Sequence, residues 1–439
     1  MSSEPAAGLA PSFAAPTTGI RRALLHPIAL WIAFLLVHLL LGYLCLRGPG
    51  MPFGDVYLVY KPWALLAQSG SQVVGIQTDW VYPIGALVPI VAPLIFGAKL
   101  YTGSWLMMVL VLDAAAFAIL TIGRHRRNLI AAWWWVGFLL LLGPIALARL
   151  DSVSVPIVII ALLWLGLRER LAAVLITIAT WIKVWPAAIL LSVFVALRSR
   201  WRVLGAIVGT SLVIVILALT FGSGAHVLSF ITMQTTRGLQ IEAPISVPWM
   251  WEAAFHVPGS FVYYDRTLLT FQVAGPGSET ASSLMTPLLA VAVIAVLLIG
   301  VRAVRHHAPV ARMLPALTLA LVATLIAFNK VGSPQYITWL AAPVLLGLVY
   351  QGRAFRTPAV LVAVTAALTQ AFYPYLYDLI LTVNPVMLLV LTARNLLLFV
   401  ILGWALMALW QSATAGDRHE PEPAPAAVWP FAAATEAKE

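Results

Sequence analysis

Between residues 27 and 410 the chain returns again and again to helix-length apolar runs, most of them closed by clustered arginines or by glycine and proline. A bilayer core takes about 20 apolar residues as a helix. Inside it every backbone N–H and C=O needs a partner within the protein, which leaves helices or closed barrels. Runs of this length make the fold all-α: a polytopic membrane helical bundle. Composition agrees. Hydrophobic residues make up 62%, charged residues 10%, and mean hydropathy is +0.96. A soluble domain carries roughly 25% charged residues, so this chain lacks the charge to cover a water-exposed globule, and it has no room for a large soluble catalytic domain. The single cysteine, Cys45, excludes a disulfide framework and a Cys-based zinc site. The net charge of +10 does not call for nucleic acid, because a membrane protein gains arginines by orienting its cytoplasmic loops.

Arginine placement orders the spans, giving about twelve with both termini in the cytoplasm. Residues 1–26 form an Ala-, Pro- and Ser-rich cytoplasmic tail, 27–410 the membrane core, and 411–439 a second tail rich in acids, Pro and Ala. Pro27 to Leu46 is an uncleaved anchor running outward to a long outer segment, 47–99. Spans 100–122, 129–147 and 153–167 follow, turning inside at Arg124, Arg126 and Arg127 and at Arg168 and Arg170. The stretch 171–197 has basic clusters at both ends and Lys183 and Pro186 in its middle. It therefore reads as two short spans joined near Lys183, a break tolerated only beside protein or a water-filled cavity. Span 203–221 leads out to a second long outer segment, 222–283. Spans 284–301, 313–328, 336–350 and 358–372 and a last one ending near Trp410 complete the bundle. The long outer loops are expected to carry interfacial helices.

Ten carboxylates lie between residues 28 and 410, and this order puts eight of them outside: Asp55, Asp79, Asp151, Glu242, Glu252, Asp265, Glu279 and Asp378. The same outer segments carry Tyr57, Tyr60, Trp63, Trp80, Tyr82, Trp249, Trp251, Tyr263 and Tyr264. Carboxylates accept hydrogen bonds from hydroxyls, and flat rings pack on the apolar face of a pyranose, so the mixture suits sugars. An interfacial aromatic belt is the other explanation.

The first outer segment, GDVYLVYKPWALLAQSG, repeats Val56, Val59/Tyr60, Trp63 and Leu66 at helical spacing, with Tyr57, Lys61, Ala64 and Gln68 on the other face. It reads as an amphipathic helix in the interface. Asp55 heads it, either as an N-cap or as a general base held at the membrane surface. Arg149, Lys183, Arg237 and Lys330 stand at outer span ends or breaks, where charge is costly. They are explained by structural pairing, such as Arg149 with Asp151, or by a phosphate presented on a lipid. Asp113, inside a span, reads as a packed polar contact. No P-loop, dinucleotide fingerprint or HExxH occurs, and the eight histidines show no metal-ligand spacing.

The pieces GDVYLVYKPWALL, DWVYPIGAL, IKVWP, RGLQIEAPISVPWMW and NKVGSPQYITWLAAP, spread from residue 54 to 343, resemble the polyprenol-phosphate-mannose-dependent α-mannosyltransferases of glycosyltransferase superfamily C. Where that family often has Tyr-Pro-Pro, this chain has Tyr82-Pro83-Ile84, and where relatives carry Gly-Gln it has Arg149-Leu150-Asp151. The resemblance implies inverting transfer of mannose from the lipid donor to a glycolipid acceptor of the phosphatidylinositol mannoside or lipomannan type, on the outer face of the plasma membrane. It implies Asp55 as the base. Arg149, Lys183, Arg237 and Lys330 are the expected donor-phosphate contacts, and Tyr57, Tyr60, Trp63, Tyr82, Glu242, Gln335 and Tyr336 the expected sugar or acceptor contacts. No metal and no cofactor is expected, since the first loop lacks Asp-x-Asp. The expected partners are the lipid-linked donor, the glycolipid acceptor and membrane lipid. The alternative is a transporter or flippase of a lipid-linked sugar, which would show paired interrupted helices and mid-membrane ionisable groups.

Overall fold

The computed structural model describes residues 26–233, 237–266 and 268–416; both expected tails therefore lie almost wholly outside the described residues. Helix α1 (Pro27–Arg47) begins with Pro27, whose fixed φ suits a first helical turn. A π turn (Val56–Tyr60) and α2 (Lys61–Ser69) follow. Next come α3 (Tyr101–Thr121), α4 (Arg126–Leu142), α5 (Asp151–Trp164), α6 (Glu169–Ile182), α7 (Ala187–Ala196) and α8 (Arg200–Thr220). After the second outer segment, which holds α9 (Val247–Ala254), the chain forms α10 (Ser278–Arg305), α11 (Val310–Ala327), α12 (Ala341–Gln351), α13 (Arg356–Phe372) and α14 (Pro385–Gly416). The last helix runs six residues past Trp410, into the stretch read as tail.

Among the described residues, eight helical segments are long and apolar enough to cross a bilayer. The expected spans at 153–167 and 336–350 and both arms of the hairpin at Lys183 are shorter: α5 and α6 have 14 residues each, α7 has 10 and α12 has 11. At 1.5 Å per residue, fourteen residues reach about 21 Å, less than the hydrocarbon thickness. Short helices are tolerated here because they are packed inside the protein. Helix α5 lies against α3, α6 and α12, and α7 against α8, α10 and α11.

Helix α11 is the centre, 78% buried along its length, whereas α8 and α10 are 11% and 17% buried and present apolar side chains outward. A helix apolar all round belongs in the core or in lipid. The buried hydroxyls of α11 are satisfied locally: Thr324 donates to the Ala320 carbonyl at 2.8 Å, and Thr318 to that of Leu314. Asp113 is the packed contact expected, with its Oδ2 3.0 Å from Nε2 of His38 and both side chains buried.

The all-α reading misses one feature. The second outer segment holds a three-stranded antiparallel sheet of order β1-β3-β2: β1 (Leu239–Gln240), β2 (Phe261–Asp265) and β3 (Thr270–Ala274). Strands β2 and β3 are rich in aromatic and β-branched residues, which favour a pleated surface, and pair from Phe261–Ala274 to Asp265–Thr270. The loop 329–335 lies on this sheet: the Gln240 N–H donates to the Lys330 carbonyl at 3.0 Å. At Gly332 a Cβ would come within 2.3 Å of the Ala243 backbone, so only glycine permits the approach.

Candidate active site

The outer-segment residues assemble at one end of the bundle around a cavity of about 640 Å³. Asp55, Val59 and Trp63 line it from the π turn and α2, spaced four apart on one helical face. Tyr82 comes from the first outer segment, Lys183 from the break between α6 and α7, and Arg237 from the second outer segment. Lys330, Gln335 and Tyr336 come from the stretch after α11. The broken hairpin is thus a wall of the cavity.

The structure does not form the Arg149–Asp151 pair that adjacency in sequence suggests. Arg149 Nε donates instead to Oδ2 of Asp55 at 2.9 Å, while Asp151 Oδ2 faces Nζ of Lys183 at 3.5 Å. Asp151 opens α5 and Arg149 lies in the turn two residues before it, so the two side chains reach different partners. Three of the other four guanidinium N–H groups of Arg149 are taken by the carbonyls of Pro52 and Ala148, each at 2.8 Å, and by the hydroxyl of Tyr373 at 2.9 Å. Arg149 therefore lies behind Asp55, buried, and is not among the cavity-lining residues. Burial works against its charge most strongly, but Asp55 together with Tyr373, Tyr60 and Tyr82 outweighs it and holds its pKa above the ordinary value. Asp55 makes no side-chain cap hydrogen bond, so the N-cap role is not what this structure shows. Its side chain keeps 37% of its surface exposed.

Lys183 is fixed from several sides. Besides Asp151, its Nζ lies 4.7 Å from the Tyr82 ring centre and 5.9 Å from that of Tyr336. Burial opposes the ammonium charge, yet Asp151 foremost keeps its pKa above the usual lysine value. Asp151 is anchored in turn by the Trp339 indole, which donates at 2.6 Å. Trp339 stacks between Tyr336, at 4.1 Å, and Trp185, at 5.6 Å. Lys330 is buried, and burial together with the nearby Arg237 pushes its pKa down.

Three expected sugar contacts do not face the cavity. Tyr60 is 1% exposed, packed between Trp63, Tyr82 and Trp105. The buried face of this segment is Val56, Tyr60 and Ala64, so Ala64 belongs to the apolar side and Leu66 does not. Tyr57 is exposed away from the cavity. Glu242 is buried behind it, accepting from the Tyr377 hydroxyl at 2.5 Å. Burial raises its pKa, and its backbone carbonyl accepts from Arg394 and Asn395 of α14. Residues outside the expected phosphate and sugar contacts also line the cavity: Gln72, Thr78, Asp79, Trp80 and Trp339. Trp80 had been visible as one outer aromatic among many, with no spacing to single it out.

Residues 80–270 match the model of glycosyltransferase family 87. By that match this is a glycosyltransferase. The matched stretch holds Tyr82, Arg149, Asp151, Lys183, Arg237 and Glu242; Asp55 and Lys330 lie outside it. The match to this family, together with the apolar helices long enough to span, agrees with the superfamily C resemblance and with a membrane protein. Neither a curated protein nor a solved structure matches the chain.

Proposed function

We propose that the protein transfers mannose, with inversion, from polyprenol-phosphate-mannose to a glycolipid acceptor of the phosphatidylinositol mannoside or lipomannan type, at the outer face of the plasma membrane. One observation carries the reading: a single cavity is lined by Asp55, a partly exposed carboxylate paired to Arg149, by a second carboxylate, Asp79, and by three cations, Lys183, Arg237 and Lys330. In the transfer, Oδ1 of Asp55 takes the acceptor hydroxyl proton as that oxygen bonds to C1 of the donor sugar. The bond from C1 to the phosphate oxygen breaks, and polyprenyl phosphate leaves with the electron pair. Oδ2 is engaged by Arg149, which holds the carboxylate oriented. The cations balance the charge that gathers on the departing phosphate. Of the four expected phosphate contacts, Arg149 suits this role least, since four of its five N–H donors are already committed and it is not among the cavity-lining residues.

The test is purified protein, radiolabelled polyprenol-phosphate-mannose and a panel of glycolipid acceptors, with the linkage of the product determined. Asp55→Asn leaves the buried Arg149 guanidinium without its counter-charge and is expected to unfold at a lower temperature, while turnover per folded molecule falls about 10²–10⁴-fold, the range for a general base. Wild-type turnover in Asp55→Asn removes Asp55 from the mechanism. Movement of the donor lipid between leaflets with no new glycosidic bond would identify a transporter instead.

A further inference from the structure

The cavity has two chemically unlike regions. Lys183, Arg237 and Lys330 make one region cationic; the other is formed by the turn 72–82 and is uncharged apart from Asp79. The ring of Tyr82 stands between them, with Lys183 over it on one side and Trp63 and Trp80 edge-on to it at 6.2 and 5.5 Å. Trp63 and Trp80 also meet edge-to-face at 5.5 Å. The three rings form an open aromatic corner that lines the cavity.

Within that corner Trp80 is 3% exposed, and its indole N–H, fully buried, has no hydrogen-bond partner among the described residues. A buried donor left unpaired is costly, and native structures rarely keep one without a use for it. Its main chain is rigidly held, the N–H donating to the Ser229 hydroxyl at 2.8 Å. Next to it, Asp79 Oδ1 meets Nδ1 of His226 at 2.6 Å, while the carboxylate stays 60% exposed at the cavity. The corner thus offers a ring surface, one accessible carboxylate acceptor and, once a neighbouring side chain shifts to admit a hydroxyl, one unused N–H donor. A pyranose asks for those three things: an apolar face to cover, a hydroxyl oxygen to accept and a hydroxyl proton to donate.

We propose that Asp79 and Trp80, with the Trp63 and Tyr82 rings, form the subsite for the acceptor's sugar, one aromatic ring away from the cations that take the phosphate. This rests on the transferase reading above and adds to it which side of the cavity the acceptor enters. Asp79 and Trp80 are then specificity-determining for the acceptor and indifferent to the donor.

The experiment uses the full chain in nanodiscs and two readouts. Binding of octyl α-D-mannopyranoside is measured calorimetrically, and KM is measured for the glycolipid acceptor and for polyprenol-phosphate-mannose. Trp80→Phe keeps a ring and removes the N–H; Asp79→Asn keeps the shape and removes the charge. Each should weaken octyl mannoside binding and raise acceptor KM by about five- to tenfold, the scale of one lost hydrogen bond, with donor KM within about twofold. His226→Ala, which unpairs Asp79 without touching the proposed sugar contacts, should affect acceptor KM less than Asp79→Asn. Unchanged glycoside binding in both variants overturns the subsite, as does a donor KM that rises in step with the acceptor's. An absence of wild-type transfer with glycoside binding still lost in the variants overturns the transferase reading and leaves the subsite standing.

Discussion

Lys183→Met separates what this lysine does for folding from what it does for the donor. Its ammonium lies 3.5 Å from Oδ2 of Asp151, with side-chain exposures of 12% and 1%. Among the described residues that oxygen has no hydrogen bond, so Lys183 is its sole compensation; Oδ1 keeps the Trp339 indole. Removing one partner of a buried pair leaves an uncompensated charge and costs about 3–5 kcal/mol. Lys183→Met should therefore be markedly less heat-stable than wild type. Asp151→Asn alone should cost less, because an amide needs no counter-charge, although it leaves the ammonium buried against the Tyr82 and Tyr336 rings. The double variant Lys183→Met/Asp151→Asn leaves neither charge stranded and should regain most of the stability lost in Lys183→Met.

Donor use should not follow that recovery. If Lys183 receives the phosphate, donor KM rises in Lys183→Met and stays high in the double variant. The assay pairs thermal unfolding in nanodiscs with donor and acceptor kinetics for all four proteins, read as a double-mutant cycle. Two results refute the reasoning. If Lys183→Met is as stable as wild type, the ion pair is not sustaining the fold. If the double variant recovers donor KM along with stability, the lysine serves only to neutralise Asp151 and the phosphate belongs to Arg237 and Lys330.

Other outcomes follow from the same geometry. Arg149→Lys should retain part of the activity and Arg149→Met much less, since only the former keeps a cation against Asp55; equal activity of the two, measured at matched expression, would mean the pair does not orient the base. Lys330 has a pKa below the ordinary lysine value of about 10.4, so donor KM should climb with pH before that value is reached, and Lys330→Arg should flatten the climb. Folding stability should run the other way: the unfolded chain holds this proton more tightly, so stability rises with pH between the folded and unfolded values, a trend that a pH series of unfolding temperatures can check. Glu242, its pKa raised by burial, has the mirror behaviour, with stability falling as pH rises from the unfolded carboxylate value towards the folded one; Glu242→Gln should remove that slope. Gly332→Ala forces the loop that carries Lys330 off β1, because the added Cβ would sit 2.3 Å from the Ala243 backbone, and should lower both stability and donor affinity in the same assays.

What the sequence discloses here is set by how local each signal is. Arginine clusters mark helix ends one at a time, so the alternation of the chain between the two ends of the bundle is readable. So is the break at Lys183 and Pro186, because no apolar neighbour hides it. Asp55, alone among apolar and aromatic residues, is visible for the same reason. Pairing across the fold is a different matter. Nothing adjacent to Arg149 tells that its partner lies 94 positions earlier rather than two later. Ala64 is buried alongside Tyr60 because the π turn shifts the helical phase by a residue, which a regular period of 3.6 misplaces. The small sheet escapes because strands of two and five residues vanish in a chain where nearly every segment is apolar. Trp80 escapes because only a three-dimensional census of hydrogen bonds shows its N–H unpaired.

The start of α5 explains why these parts work as one site. Arg149 and Asp151 are two residues apart on one rigid, fully buried turn, and each reaches a different wall: Arg149 the carboxylate of Asp55 on the first outer segment, Asp151 the ammonium of Lys183 at the hairpin break. The proposed base and a proposed phosphate-binding cation are thus both referenced to the same piece of backbone. In an inverting displacement the attacking oxygen and the departing phosphate oxygen lie on opposite sides of one carbon, so the distance between base and cation has to be held constant, and holding it is where proximity gains its rate. Had Arg149 paired with Asp151, the two charges would have satisfied each other and fixed neither wall. The crossed pairing spends both on positioning. It follows that exchanging the two, Arg149→Asp with Asp151→Arg, preserves net charge and composition yet faces Asp55 with an aspartate and Lys183 with an arginine. That variant should lose both stability and transfer, and one that kept either would show that the two walls are held by something other than this turn.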